Sequence, residues 1–324
     1  MQADAVRPRV LLADDDAGLL KAISRTLATE FEVVATVTDG RKALDAVSRL
    51  DPDVVVLDIS MPGLTGFQTA EELKRFGSRA KIVFLTMHQD DDFVSKAIQC
   101  GAMGYVVKTL ASSDLTPALH HALAGRQYLP SLTPLVMTGA DTHAVQFCGD
   151  DSSGLDGVAA VLSSALHRGD TIATVLIESN RDALAVRMTE RGWNLADVGT
   201  QGRYRAFDAE EAATRAMRAG GPHRESIAEM IAALESAQGA SAAGPRLHLT
   251  IVGEISAVLC RRGTPEAALE VERLWNELTR PLPILTICTY HTGCFDHGEA
   301  PGFISSISAH HSVISHRMLP LTSL

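Results

Sequence analysis

Through residues 8–127, short apolar runs alternate with segments in which apolar positions recur every three or four residues. The runs RVLLA (9–13), EVVAT (32–36), DVVVLD (53–58), KIVFLT (81–86) and GYVVK (104–108) are rich in β-branched residues and predict strands. Between them AGLLKAISRTLATE places Leu19, Leu20, Ile23 and Leu27 on one helical face. Five strands and five helices in strict alternation predict an α/β domain, a doubly wound parallel sheet of flavodoxin-like order.

The rhythm then breaks. YLPSLTPLVMTGADTH is rich in Pro, Gly and Thr, so 128–142 is expected to be a linker, with some packed apolar residues allowed. A second α/β rhythm occupies 143–315, and 316–324 forms a tail. Strands are expected at AVQFCG, DTIATVLIES, RLHLTIV (246–252) and PILTICTY (283–290). Helices are expected at GLDGVAAVLSSALHRG and over 179–192, 208–219, 223–238, 254–262 and 265–279. SAQGASAAGP (236–245) has the composition of a surface loop.

Composition narrows the class of function. Apolar residues are 46% and charged residues 21% of the 324, the balance of a folded globular chain. A net charge of −10 offers no general attraction to nucleic acid or anionic lipid, and no basic recognition helix follows residue 127. The N-terminal MQADAVRPRV lacks the apolar core of a signal peptide, and no apolar stretch approaches the roughly 20 residues that span a bilayer. Five cysteines without scaffold spacing fit a reducing compartment. The expectation is a cytoplasmic protein that binds neither DNA nor membrane.

The chemistry of the first domain lies at its strand ends. Open parallel sheets bind ligands beyond the carboxyl ends of their strands. Here the first strand ends in Asp14, Asp15 and Asp16, the third in Asp58, the fourth in Thr86 and the fifth in Lys108. Carboxylates crowded into one crevice repel one another unless a cation is supplied, and Mg²⁺ suits such oxygen ligands. A carboxylate can also accept a phosphoryl group, provided a metal and a fixed ammonium neutralise the developing charge. Lys108 offers the ammonium, and Thr86 a hydroxyl for the phosphoryl oxygens. Pro62 and Gly63 would fix the loop after Asp58, so that a backbone carbonyl near Ser60 can face the metal.

These residues resemble the receiver domain of two-component response regulators. LLADDD, LDISMPGLTG, FLTM and GYVVK stand at that family's spacing over 8–127. The resemblance implies that Asp58 is the phosphoacceptor, and that Asp14, Asp15, Asp58 and the Ser60 carbonyl hold Mg²⁺. It further implies that Lys108 is the conserved-type lysine, and Thr86 and Tyr105 the switch pair. Thr109 follows Lys108 where many members have proline. On phosphorylation Thr86 would move toward the phosphoryl group and Tyr105 would turn inward.

In the second domain Gly149 and Gly154 carry the spacing of a phosphate-binding loop between strand and helix. Leu155 and Asp156 replace the Lys and Ser/Thr such a loop needs, and Asp150 and Asp151 would repel a triphosphate. Helix capping is therefore the favoured role, and no ATPase is expected. VQFCGDD, NRDALAVRM, FDAEEAATRAM, GEISAVLCRRG, ALEVERLWNEL, ILTICTY and a closing helix containing AHHSVIS resemble the DcmR-type sensory (MEDS) domain over 143–315. That resemblance implies a RecA-like fold with a degenerate P-loop. Asp150, Asp151, Glu178, Glu254 and Asn276 are candidates to border a ligand pocket, although a Glu at the position of Glu254 more often starts a helix. Trp275 is expected in the core. Cys288, His291, Cys294 and His297 form a C-x₂-H-x₂-C-x₂-H run of zinc-binding types. Cys288 also belongs to an apolar strand, and paired zinc ligands commonly come from separated elements, so packing is the favoured role. His310, His311 and His316 are expected at the surface or in packing.

The combined expectation is a response regulator that is not an enzyme beyond self-catalysed phosphorylation and dephosphorylation. A sensor histidine kinase or phosphotransfer protein would donate to Asp58. The second domain would act through an unknown downstream protein or by sensing a ligand, with a homodimer left open. The alternative is a small-molecule sensor or nucleotide-binding module whose receiver serves for docking or dimerisation.

Overall fold

The structure, a computed structural model, describes residues 7–138, 142–148, 153–218, 221–236, 248–291 and 300–317. Its contacts divide between Pro130 and Ser131 into two units.

The first unit runs β1 (Arg9–Ala13), α1 (Ala17–Leu27), β2 (Glu32–Val37), α2 (Gly40–Leu50), β3 (Val54–Leu57), α3 (Gly66–Arg75), β4 (Lys81–Thr86), α4 (Asp91–Gln99), β5 (Gly104–Val107), α5 (Ala111–Leu123) and β6 (Gln127–Leu129). The strands lie side by side as β2-β1-β3-β4-β5-β6, all parallel, so the flavodoxin-like order holds for the five expected strands. Every residue of β3 is buried, as a central strand covered on both faces requires. The local signals for helix starts are explicit. Asp16 caps α1 by accepting from the Gly18 and Leu19 N–H groups, and Thr65 with Gln68 forms a reciprocal capping box on α3. Both caps set a helix directly behind a strand end that faces the acidic crevice.

The second unit contains α6 (Thr133–Thr138), β7 (His143–Cys148), α7 (Ser153–Arg168), β8 (Thr171–Leu176), α8 (Glu178–Glu190), α9 (Leu195–Thr200), β9 (Tyr204–Asp208), α10 (Ala209–Ala216), β10 (Met217–Arg218), β11 (Gly221–Pro222) and α11 (Arg224–Glu235). It continues with β12 (Leu249–Gly253), α12 (Ile255–Arg261), α13 (Pro265–Thr279), β13 (Ile284–His291), α14 (Ala300–Ala309) and β14 (Val313–Arg317). Its strands lie parallel in the order β14-β7-β13-β12-β8-β9, and β10 and β11 make a small antiparallel ladder.

Three expectations change. The stretch 128–142 carries most of β6 and all of α6, and Leu129, Leu132, Leu135 and Val136 are buried. AHHSVIS does not close a helix: α14 ends at Ala309, and Val313 begins a strand paired with β7 from Ala144 onward. The physical reason is the β-branched pair in VISHR, with Val313 and Ile314 both buried against the sheet. The helix expected over 208–219 stops at Ala216, because Met217 and Arg218 turn back against Gly221 and Pro222. Of the expected loop 236–245, only Ser236 lies within the described residues.

Candidate functional site

The end of β1 delivers two carboxylates with different environments. Asp14 is buried and accepts from the Asp16 N–H at 2.9 Å, whereas Asp15 is exposed. Asp58 follows β3 and is buried; its N–H donates to the Ala13 carbonyl at 2.8 Å, which locks the two strand ends in register. Oxygens of Asp14, Asp15 and Asp58 all lie within 4.8 Å of one another. Lys108, just past β5, places Nζ 2.7 Å from Asp14 and 3.2 Å from Asp58. One ammonium thus faces three carboxylates, and a divalent cation would bring the crevice to charge balance.

The titration directions agree with that accounting. Burial, aided by the nearby Asp58 charge, raises the Asp14 carboxyl above its ordinary 3.8 despite the opposing pull of Lys108. For Lys108, burial alone would lower the ammonium, but Asp14 and Asp58 outweigh it and the pKa rises. A divalent cation bound here would have to displace whatever proton Asp14 holds, so its affinity is expected to weaken as pH falls toward the raised Asp14 value. The loss is therefore expected to begin at higher pH than a carboxylate titrating at 3.8 would give. Calorimetric Mg²⁺ titrations across the acid range check this; an affinity flat down to ordinary carboxylate pH refutes it.

The loop behind Asp58 is held by its glycines. Gly63 sits at φ +79°, in the left-handed region, and Gly66 opens α3 against the Asp58 backbone. Thr86 is fully buried and its hydroxyl accepts from the His88 N–H at 3.3 Å. Tyr105 is also fully buried, with its hydroxyl donating to the His88 carbonyl at 3.1 Å. His88 itself was not foreseen. Its Nε2 lies 3.1 Å from Ser60 Oγ, and its ring stacks on Phe93 with centroids 4.0 Å apart. One residue thus joins the loop after Asp58, the start of α4 and Tyr105. An imidazole just past a strand carries no sequence signal of such contacts.

In the second unit the expected pocket residues do not all converge. Asp150 and Asp151 lie outside the described residues, as do Cys294 and His297. Glu178 is exposed at the first position of α8, and Asn276 is exposed on α13, donating to the His310 carbonyl. Glu254 is buried at the end of β12. It accepts from the Ile177 N–H at 3.1 Å and from Asn180 Nδ2 at 2.5 Å, with His291 Nε2 at 3.4 Å. Its carboxylate thereby serves the start of α8 rather than its own helix, α12, where it makes no side-chain cap. Leu155 is buried and Asp156 pairs with Arg187 at 2.8 Å, so neither stands in for a phosphate-binding lysine or hydroxyl. Trp275 is buried and donates to Thr286 Oγ1 at 3.1 Å. Cys288 and His291 share β13 but point to opposite faces, as a spacing of three on a strand dictates, so the C-x₂-H run does not assemble as one site. His311, expected at the surface or in packing, is buried.

A flavodoxin-like sheet whose strand ends gather an acidic trio, a lysine and a buried hydroxyl is a phosphoacceptor architecture of the receiver class. The chain belongs to the response regulators: residues 10–120 match the response regulator receiver domain, and residues 142–306 match MEDS, the MEthanogen/methylotroph, DcmR Sensory domain. Transcriptional regulatory protein DesR of Bacillus subtilis (strain 168) is 30% identical over 197 residues, covering 57% of this chain and 98% of DesR. The nitrate/nitrite response regulator protein NarL of Escherichia coli (strain K12) is 32% identical over 39% of this chain, which spans only 60% of NarL. Among solved structures, the signal receiver domain of a NarL response regulator from Mycobacterium tuberculosis is 27% identical. It covers 38% of this chain and 100% of that one, with a TM-score of 0.37. Among the described residues no helix is long and apolar enough to cross a membrane.

Proposed function

We propose that Asp58 accepts a phosphoryl group from a sensor histidine kinase or phosphotransfer protein, and that this event switches the output of the MEDS domain. The observation that carries the proposal is Lys108 Nζ, within 2.7 Å of Asp14 and 3.2 Å of Asp58 in a crevice that also holds Asp15. Asp14, Asp15, Asp58 and the Ser60 carbonyl would hold Mg²⁺, which when bound would supply positive charge against the phosphoryl oxygens. Lys108 neutralises the remainder, and Thr86 hydrogen-bonds the phosphoryl oxygens. The added charge of nearly −2 then biases the Thr86–His88–Tyr105 contacts and the surface around α4.

Output through a protein or small-molecule contact is supported by the parallel α/β build of the second unit, which differs from a helix-turn-helix. DesR is named as a transcriptional regulator, but among the described residues no DNA-recognition helix pair stands in its place. The all-parallel sheet and the positions of Leu155 and Asp156 support a RecA-like ancestry in which triphosphate binding has been lost. A nucleotide-independent sensory or docking role follows, with catalysis limited to the domain's own phosphorylation and dephosphorylation.

Intact-mass spectrometry after incubation with acetyl phosphate tests the reading. A gain of about 80 Da (one phosphoryl unit) is expected with Mg²⁺, and none in Asp58→Asn or after chelation. A gain of equal size in Asp58→Asn would remove Asp58 from the role.

A further inference from the structure

The second unit holds a cluster of reactive side chains that neither the acidic crevice nor the Glu254 contacts use. Four separate segments supply it: His143 opens β7, Glu272 lies on α13, Cys288 on β13, and His311 in the turn between α14 and β14. His143, Glu272 and His311 are buried and Cys288 is half-buried. His143 Nε2 lies 3.2 Å from Cys288 Sγ and 3.3 Å from Glu272 Oε2. The thiol is 3.3 Å from that same oxygen, and His311 Nε2 is 3.4 Å from it. All four donor atoms fall within 4.8 Å of one another.

We propose that His143, Glu272, Cys288 and His311 form a tetrahedral site for a divalent transition ion of the zinc class. Metal–donor bonds of about 2.0–2.3 Å imply donor–donor edges of roughly 3.3–3.8 Å in a tetrahedron. Three of the four contacts above fall at the lower end of that range and the fourth, at 3.2 Å, just below it, before any ion draws the donors around itself. Two imidazoles, one thiol and one carboxylate form a borderline donor set that suits zinc and its neighbours rather than Mg²⁺ or Ca²⁺.

The surroundings orient the donors as a metal site requires. His311 Nδ1 donates to the Ile307 carbonyl at 2.8 Å, which fixes the tautomer and leaves Nε2 free to bind. That Nε2 is buried and has no hydrogen-bond partner, since its approach to Glu272 lacks hydrogen-bond geometry. Tyr290 donates its hydroxyl to Glu272 Oε1 at 2.5 Å, turning the other oxygen toward the two imidazoles and the thiol. His143 Nδ1 has no partner, so Nε2 is assigned as its donor from the 3.2 Å and 3.3 Å approaches alone.

Without a cation the cluster is poorly matched. His143 Nε2 and His311 Nε2 both approach the same Glu272 oxygen, at 3.3 Å and 3.4 Å. Two imidazoles therefore compete for one carboxylate oxygen. A divalent ion resolves the competition by engaging both nitrogens and taking the thiol as thiolate. Bound there, it fastens α13 and the β14 turn to β7 and β13.

The full-length chain, stripped on a chelating resin and then loaded with Zn²⁺ or Co²⁺, provides the test. After desalting, about one equivalent of zinc is expected to remain. The cobalt form should show tetrahedral ligand-field bands and a thiolate charge-transfer band. Cys288→Ser should remove that charge-transfer band, and His311→Gln should weaken zinc at least tenfold. His291→Ala should retain zinc, which separates the cluster from the C-x₂-H run. Asp58→Asn should retain it too, which makes the result independent of the phosphoacceptor reading. A folded wild-type chain that keeps no zinc, or a cobalt spectrum without a thiolate band, overturns the proposal. Loss of zinc in His291→Ala with full retention in Cys288→Ser overturns it equally. Should Cys288→Ser not fold, the wild-type cobalt spectrum decides alone.

Discussion

Lys108→Ala is expected to slow phosphorylation of Asp58 by acetyl phosphate about 10²–10³-fold, the range seen when one preorganised charge-stabilising group is removed. The ammonium is held 2.7 Å from Asp14 and 3.2 Å from Asp58 in a largely buried crevice, where no water can supply an equivalent fixed charge. Lys108→Arg should rescue little, because a planar fork does not fit the space of a compact ammonium. The substitution also leaves Asp14 and Asp58 without their cation, so the variant should be less stable near neutral pH and regain stability on adding Mg²⁺. Initial rates read by intact mass, with thermal unfolding alongside, check both parts. A rate within twofold of wild type would show that the lysine is only a structural counter-ion.

Gly66→Ala is expected to cost about 3 kcal/mol or more, the upper end for adding a single methyl to a filled site. A Cβ at Gly66 would stand 2.2 Å from the Asp58 carbonyl oxygen and 2.9 Å from its carbon. Both are backbone atoms of Asp58, so the clash cannot be relieved by rotating a side chain. The Gly66 N–H also donates to the Ile59 carbonyl at 3.0 Å, which pins the two segments together. Relief would require α3 or the Asp58 loop to shift, and acetyl-phosphate reactivity should fall with stability. Denaturant unfolding gives the energy; a loss below about 1 kcal/mol would mean the loop yields freely.

The receiver was legible because its information is local. Buried parallel strands such as VVVL (54–57) show as unbroken apolar runs, and their chemistry sits on the next residue. Asp14, Asp58, Thr86 and Lys108 could be ordered from strand ends alone. His88 escaped notice because its role depends on Ser60 and Phe93, which reach it only through the fold. In the second unit β9 escaped because YRAFD is a partly exposed edge strand with no apolar run. β14 escaped because it follows two histidines that read as part of a helix. The His143–Glu272–Cys288–His311 cluster draws one residue from each of four segments, so no motif announces it. In the contiguous Cys/His run, visible at once, Cys288 and His291 are set on opposite faces by the alternation of a single strand.

The position of His88 bears on how a signal leaves the crevice. Since the His88 imidazole touches Ser60 and lies flat on Phe93, and the His88 backbone carbonyl accepts from the Tyr105 hydroxyl, any shift of the loop behind Asp58 is felt at α4 without the threonine moving first. Magnesium occupancy and phosphoryl load would then reach the same outer surface by two mechanical routes.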